Sequence, residues 1–489
     1  MHLFIEEPEL SKVHVVDMIT KLGLSSFLAD FMKDSLDSIA SDINKTNSFN
    51  KEDILKTALS LKLHRQHGYD VSQDVLRDFI DEMVSLDGKH GLDVIINRVL
   101  ELFEASHLAT EGGENNNLAQ QVTHALKSSS HLGVLWFDVI HNIRTYEQEQ
   151  DNIGNNNKIL IDLAKLNFNI TQAMLVEELK DLSRWWNDVR LMESIEFSRD
   201  RLVESFLGRV GISCEPHHAL LRKCLSKLRT LLLVMDDLYD IYGSLEELKC
   251  FTRAVERWDP QELEQHPECI KICFKTLQTT TAELVDAIQK QKGYDQDISF
   301  NFNTAWADFC KASLTEAWWY NTKHIPSVDE YLRTACMTSG GPLISLVTIM
   351  CTVDGGVSDL MEDKLRVCQN LVYYISLIIR LFNDLETSAV ELERGDSPSS
   401  ILCYMVEANV TEDMARVHVK QMISDTWKKI NKEILSVSCK QETCVNLIIN
   451  MGRVCELVYH EGDGLSDPNK ETRRQIKELL IQPMKLSMD

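Results

Sequence analysis

An all-α protein built of two helical domains is what the sequence predicts, on three observations. Nearly every stretch with a clear hydrophobic period has the helical one, and no run alternates apolar and polar residues as a half-buried strand would. Only 20 Gly and 9 Pro punctuate 489 residues, which leaves long helices joined by short loops. The 44% hydrophobic content is ample for buried cores.

Taken in order, Ile54, Leu55, Ala58, Leu59, Leu61 and Leu63 share one helical face. Val75, Phe79, Ile80 and Met83 share another, after a break at HGYDVS. The polar tracts GGENNN (112–117) and NIGNNN (152–157) read as loops between helices. No fixed-period repeat is present. The chain divides near Val189 to Glu196, after LSRWWNDV, because every cluster of acids or ligand pairs lies beyond that point. This gives a companion domain over 1–192 and a chemical domain over 193–489. The apolar stretch Gly341 to Val353 is too short to cross a bilayer and reads as a buried helix.

The net charge of −24 excludes nucleic acid and anionic membranes as partners, since either demands a basic patch. An anionic substrate would need local positive charge or metal. Thirteen cysteines, an odd number with no CxxC pair, suit reduced thiols inside a cell. The acidic start, MHLFIEEPELSKVHVVDM, is not rich in Ser or Arg, so a cytosolic protein is expected, or a plastid one if the start is truncated. A monomer without stable membrane insertion is the expected state.

The chemistry centres on LLLVMDDLYDIY (231–242), where an apolar run ends in Asp236, Asp237 and Asp240. At i, i+1 and i+4 these carboxylates share one arc of a helix, where they repel one another and call for a cation. Oxygen ligands without His or Cys favour Mg²⁺, or Mn²⁺ in its place, over zinc. A helix emerging into water would show the same acids; a second stretch decides between the readings. In RLFNDLETSAVELERGD (380–396), Asn383, Thr387 and Glu391 fall at i, i+4 and i+8, three oxygen donors along roughly 12 Å of helix. The run LVYYISLIIRLF before it repeats the layout of LLLVM. Two such helices could face each other across an apolar cavity with metals at its mouth. Arg199, Arg201 and Arg380 supply guanidinium forks for phosphate oxygens. Together these suit an amphiphile with a diphosphate head and a hydrocarbon tail.

On these residues the chain resembles the plant class I terpene synthases. DDLYD (236–240), NDLETSAVE (383–391) and RDR (199–201) match the family's two metal motifs and its arginine pair. LKLHRQHGYDVSQDV, LFEASHLA, LAKLNFN, LSRWW, YGSLEELKCFTRAVERWD, ERGDSPSSILCYM and GDG (462–464) extend the likeness over almost the whole chain. The resemblance implies an N-terminal α-barrel-like domain without an active site and a C-terminal class I terpenoid synthase α-bundle. It implies that Asp236, Asp237 or Asp240, with Asn383, Thr387 and Glu391, bind a cluster of three Mg²⁺, while Arg199, Arg201 and Arg380 hold the diphosphate. Ionisation of geranyl or farnesyl diphosphate would follow without a protein nucleophile, and Asp236, Arg199 and Arg380 would carry that step. The cation would then react in a dry pocket. Gly208, Trp306, Ser339 and Gly340 are the candidate pocket-shaping residues, with Tyr373 and Phe382 as further wall candidates; TSGGP (338–342) reads as a helix break with freed carbonyls.

Two departures bear on the product. Gly208 stands where the family usually has a cavity-lining tryptophan, which would leave a deeper pocket, and Leu465 stands where some cyclising relatives have tyrosine. The paired-Arg and Trp motif of many cyclising relatives is not in this sequence. The expectation is a monoterpene or sesquiterpene, with an acyclic alcohol such as linalool or nerolidol favoured over a cyclic sesquiterpene or a C20 product. A chain-elongating prenyl diphosphate synthase would carry a second DDxxD in place of NDLETSAVE. An inactive helical paralogue is the non-enzymatic alternative.

Overall fold

The computed structural model describes residues 9–46, 59–60, 62–63, 134–148, 155–191, 195, 200–353, 358–394, 398–436, 443–459 and 470–486. Every regular element among them is helical. The faces expected at 54–63 and 75–83 lie outside the described residues, apart from the buried Leu59 and Leu63. So do 112–117, 152–154 and 460–469, including GDG and Leu465. Asn155 to Asn157, expected in a loop, instead form the first turn of a helix, a place where asparagine is well tolerated.

The chain divides into two compact units: 1–172 with 427–442 and 482–489, and 173–426 with 443–481. In the first, α1 (Glu9–Lys21) packs on α2 (Ala29–Thr46) and α3 (Leu135–Gln148), and α4 (Asn155–Val189) begins there. Trp136 of α3 stacks on Phe168 of α4 at 4.9 Å. The carboxamide of Asn169 brackets the C-terminal segment, donating to Met484 O at 2.9 Å and accepting from Met484 N at 2.8 Å. By length and composition α4 could span a bilayer. It carries Lys165 in an ion pair with Glu147, and Glu178 in another with Arg222, which suits packing against protein.

The second unit begins with the end of α4, anchored by the wholly buried Arg222. Its fork donates to both Glu178 carboxylate oxygens, at 2.8 and 2.6 Å, and to the carbonyls of Ser213 and Glu215. The helices that follow are α5 (Leu202–Ile212), α6 (Ala219–Asp237), α7 (Leu245–Arg257), α8 (Glu268–Lys292) and α9 (Ser299–Thr322). After them come α10 (Val328–Thr338), α11 (Gly341–Thr352), α12 (Ser358–Val367), α13 (Gln369–Arg394) and α14 (Ser400–Ala408). The last are α15 (Glu412–Ser436), whose residues from 427 on belong to the first unit, α16 (Thr443–Tyr459) and α17 (Lys470–Ile476). Helix α11 packs on both α6 and α13, and α13 packs on α16.

One short break organises this packing. The expected interruption at TSGGP falls between α10 and α11, with Gly340 in the left-handed region at φ +73°. A Cβ on Gly340 would meet Leu232 Cδ1 of α6 at 2.7 Å. One on Gly341 would approach Ser376 of α13, with its Cβ at 2.9 Å and its Cα at 3.0 Å. Two adjacent glycines therefore let the start of α11 touch both helices that carry oxygen donors. Gly341→Ala is expected to push α11 off α13, at a cost of about 1–3 kcal/mol, seen as a lowered thermal midpoint; an unchanged midpoint would show that the contact is slack.

Candidate active site

Helix α6 is an apolar rod, buried almost without interruption from Leu228 to Met235, and it delivers Asp236 and Asp237 at its C-terminal end. The backbone then widens into a π-turn, Leu238–Tyr242, closed by Gly243 N donating to Leu238 O at 2.9 Å. The turn needs a glycine, because a Cβ at 243 would lie 2.9 Å from Leu248 Cγ. Ser244 then starts α7 with a capping box, Glu247 Oε2 accepting from Ser244 N at 2.9 Å. The three aspartates end up in different surroundings: Asp236 is partly exposed, Asp237 is 1% exposed and Asp240 faces solvent. The widened turn, which the sequence pattern did not signal, separates Asp240 from an ideal α-helical arc.

Helix α13 carries the second set. Arg380 is its hub: Nη2 donates to Thr338 Oγ1 at 2.8 Å, Nε to Ala335 O at 3.3 Å and Nη1 to Asn383 Oδ1 at 3.2 Å. Asn383 Nδ2 in turn donates to Tyr459 Oη at 3.2 Å, and Thr387 Oγ1 donates to Asn383 O at 2.9 Å. The amide oxygen of Asn383 is thus oriented, and the threonine oxygen keeps lone pairs to offer. Glu391 continues the same helix, with its side chain outside the described residues.

Two acids that sequence reasoning left out sit beneath this layer. Asp384 is 1% exposed and accepts from Tyr331 Oη at 2.9 Å and Ser400 N at 2.8 Å, with Arg380 Nη1 at 3.9 Å. Burial pushes its carboxyl above the usual range against the pull of Arg380. Glu316 of α9 accepts from Thr338 Oγ1 at 2.9 Å, and burial likewise raises it, opposed by Arg380 and reinforced by Asp384 and Asp236. The π-turn that ends α6 packs on α9, and Thr338 joins Glu316 of α9 to Arg380 of α13, which brings the three helices to one place. The signal available in the sequence was Glu316 itself, a lone acid between apolar residues in SLTEAWWY.

The remaining candidates fall as follows. Arg199 lies outside the described residues. Arg201 stands at the N-cap of α5, its Nη1 donating to Asp200 O at 3.2 Å. Gly208 is buried on α5, and a Cβ there would meet Val454 Cγ1 of α16 at an ordinary 3.9 Å. Trp306 is fully buried, edge-on to Phe309 at 5.8 Å. Ser339 Oγ accepts from Gly341 N at 3.1 Å, holding the break in place. Tyr373 is 44% exposed, a surface position.

The donor set suits a hard divalent cation. Among the described residues no three His, Cys, Asp or Glu side chains form a ready cage. Instead Asp236 and Asp237 on one helix and Asn383 and Thr387 on another offer oxygens only. Mg²⁺ is commonly bound in this way, by one or two carboxylates with substrate phosphates and water completing the octahedron.

Known proteins resemble the chain over nearly its whole length. Residues 187–429 match the family description "Terpene synthase family, metal binding domain", and residues 3–132 match "Terpene synthase, N-terminal domain". The chain is 44% identical to alpha-farnesene synthase from Ricinus communis, over 99% of this chain and 89% of that one. It is 42% identical to (E,E)-alpha-farnesene synthase from Malus domestica, over 97% and 85%. A solved structure of isoprene synthase from grey poplar, Populus x canescens, holds three Mg²⁺ ions and dimethylallyl-S-thiolodiphosphate. It superposes with a TM-score of 0.85 at 32% identity, covering 98% of this chain and 94% of that one.

Proposed function

Because the chain belongs to the terpene synthase family, and is a lyase acting on a prenyl diphosphate, we propose that its substrate is farnesyl diphosphate and its product an acyclic sesquiterpene hydrocarbon of the farnesene type. The observation that supports the site is that α6, which ends in Asp236 and Asp237, and α13, which carries Arg380, Asn383 and Thr387, both pack on α11 at the break of Gly340 and Gly341. The chain length rests on the two farnesene synthases it resembles. Gly208, buried on α5 against Val454 of α16, is the pocket-shaping glycine of this reading. Those relatives also favour loss of a proton over capture of water, and so a hydrocarbon over the expected alcohol.

In this reading Asp236, Asp237 or Asp240 and Asn383, Thr387 and Glu391 hold magnesium, three ions in all, with manganese able to substitute. Bound there, the metal neutralises charge on the departing diphosphate. Arg199, Arg201 and Arg380 bind the same group through their forks. Arg380 is held for this by Thr338 and the Ala335 carbonyl, so little reorganisation accompanies the charge that develops on C–O cleavage. The Ser339 to Gly341 break and Trp306 are the wall residues of this reading, stabilising the cation by dipole and ring face. Residues 1–192 serve as the companion domain, and the protein works as a monomer.

Purified protein with Mg²⁺ and geranyl, farnesyl or geranylgeranyl diphosphate tests this directly, with volatiles resolved by gas chromatography. The expected outcome is farnesene, with kcat/KM for farnesyl diphosphate at least about tenfold above the others, a difference one or two buried methylenes can supply. Turnover of geranyl diphosphate alone would overturn the substrate. Nerolidol as the main product would restore the alcohol, longer diphosphates would indicate an elongase, and no diphosphate release would leave the inactive paralogue.

A further inference from the structure

The turn of α13 that carries Asn383 and Thr387 is gripped from behind by a residue outside that site. Arg416 of α15 donates through Nη1 to Leu385 O at 2.6 Å and through Nη2 to Ser388 Oγ at 3.1 Å. Its Nε donates to Glu412 Oε1, one turn earlier on α15, at 2.8 Å. All of these residues belong to the second unit. Leu385 and Ser388 are buried, and the Arg416 side chain is 27% exposed. At 3.6 residues per turn, Asn383 and Thr387 lie about 40° apart around the helix axis, whereas Ser388 and Leu385 fall roughly 100° and 160° round from Thr387. The guanidinium therefore holds the face of α13 turned away from the oxygen stripe.

This is more than a surface ion pair. A carbonyl within a helix already accepts one backbone N–H, so the guanidinium takes the second lone pair of Leu385 O, and the rigid fork reaches Ser388 in the same plane. Arg416 also stands on a fixed base. Ala415 and Val419 beside it are fully buried, and His418 stacks on Tyr404 of α14 at 3.8 Å. The start of α14 is in turn tied to α13, Ser400 N donating to Asp384 Oδ2 at 2.8 Å. Contacts among α13, α14 and α15 thus close a ring around the turn. Ligands must be held within about 0.5 Å of their working positions. Partners that orient them from outside typically carry about 10–100-fold in metal affinity.

We propose that Arg416 is a positioning residue for the metal site: it fixes the rotation of α13 about its axis, and with it the direction in which Asn383 and Thr387 offer their oxygens to magnesium. This rests on the reading of those two residues as magnesium ligands. Position and charge predict opposite signs. A guanidinium repels a nearby cation, so an effect through charge alone would let magnesium bind more tightly once Arg416 is gone, whereas an effect through position weakens it.

Thermal unfolding of the full chain, followed as magnesium chloride is titrated at fixed inorganic diphosphate and constant ionic strength, tests this without turnover. The quantity read is the Mg²⁺ concentration that gives a set rise above each variant's own metal-free midpoint, so a change in stability alone does not move it. The wild type is expected to gain stability, and Arg416→Ala to need at least about tenfold more Mg²⁺ for the same rise. Ser388→Ala removes one arm of the clamp and no charge; it should need about threefold more, the scale of one hydrogen bond. That variant decides alone should Arg416→Ala fail to fold. Where both fold, an unchanged Ser388→Ala beside a weakened Arg416→Ala assigns the clamp to the Leu385 carbonyl. A requirement within about twofold of wild type in every variant that folds, or a lower one in Arg416→Ala, would overturn the proposal. A wild type that gains nothing from Mg²⁺ removes the magnesium assignment and this inference with it; a wild type that Mg²⁺ protects, with protection indifferent to Arg416, sinks the inference alone.

Discussion

Asp236→Ala is expected to abolish turnover, lowering kcat/KM by about 10³-fold or more, while the far-ultraviolet circular dichroism of the helices stays unchanged. Removal of a single preorganised charge-stabilising group costs on the order of 10²–10³ in rate, and Asp236 is in addition a proposed ligand whose loss weakens metal binding itself. The fold should tolerate the change, because the carboxylate is partly exposed and Arg229 Nη1 stands off at 3.9 Å; stability should move by no more than about 1 kcal/mol. Asp236 also raises the Glu316 carboxyl, so the variant should let Glu316 titrate nearer its ordinary range. Activity close to wild type, measured as diphosphate release across a Mg²⁺ series, would remove Asp236 from the metal site and with it the assignment of the whole DDLYD motif.

Arg380→Ala should cost both activity and stability. Its guanidinium is the cation that opposes the rise of both Asp384 and Glu316, and it ties α13 to Ala335 and Thr338 at the end of α10. Taking one partner from a buried charge network is worth about 3–5 kcal/mol. The pH dependence gives the cause away. Without Arg380 both carboxyls sit further above their unfolded values, so the folded protein holds protons that the unfolded chain has already released. Such groups contribute stability that is present below the unfolded carboxylate range and lost as pH rises through the folded value. The deficit relative to wild type should therefore be small near pH 4 and grow towards neutrality. Arg380→Lys should recover much of the stability, since the charge returns, but little of the activity, since the fork does not. A deficit that is the same at all pH values would mean that Arg380 acts through packing alone.

Much of this protein could be read along the chain because the relevant physics is local. An apolar period near 3.6 is enough to predict helices, and the buried helix at 341–352 and the break before it follow from composition and a pair of glycines. Oxygen donors at helical spacing in both DDLYD and NDLETSAVE are of the kind a hard metal takes. The same reasoning placed a loop at 152–157, of which Asn155 to Asn157 instead open a helix. It also missed the π-turn at Leu238–Tyr242, since that register depends on how closely Gly243 must approach Leu248, two residues placed by the start of another helix.

By itself, then, the sequence determined the helical class, the two oxygen-rich helix ends and the kind of ligand they suit, because each is a property of residues within a few turns of one another. Only the tertiary structure decided which charges share a neighbourhood. Arg380 meets Thr338 across 42 positions, Thr338 meets Glu316 across 22, and Asp384 meets Tyr331 across 53. Arg209 was an unremarked basic residue in an apolar helix until packing left it 6% exposed, with Nε and Nη1 unbonded among the described residues. Charge interactions depend on separation in space and on the water removed between them, and neither quantity is written in the order of the residues.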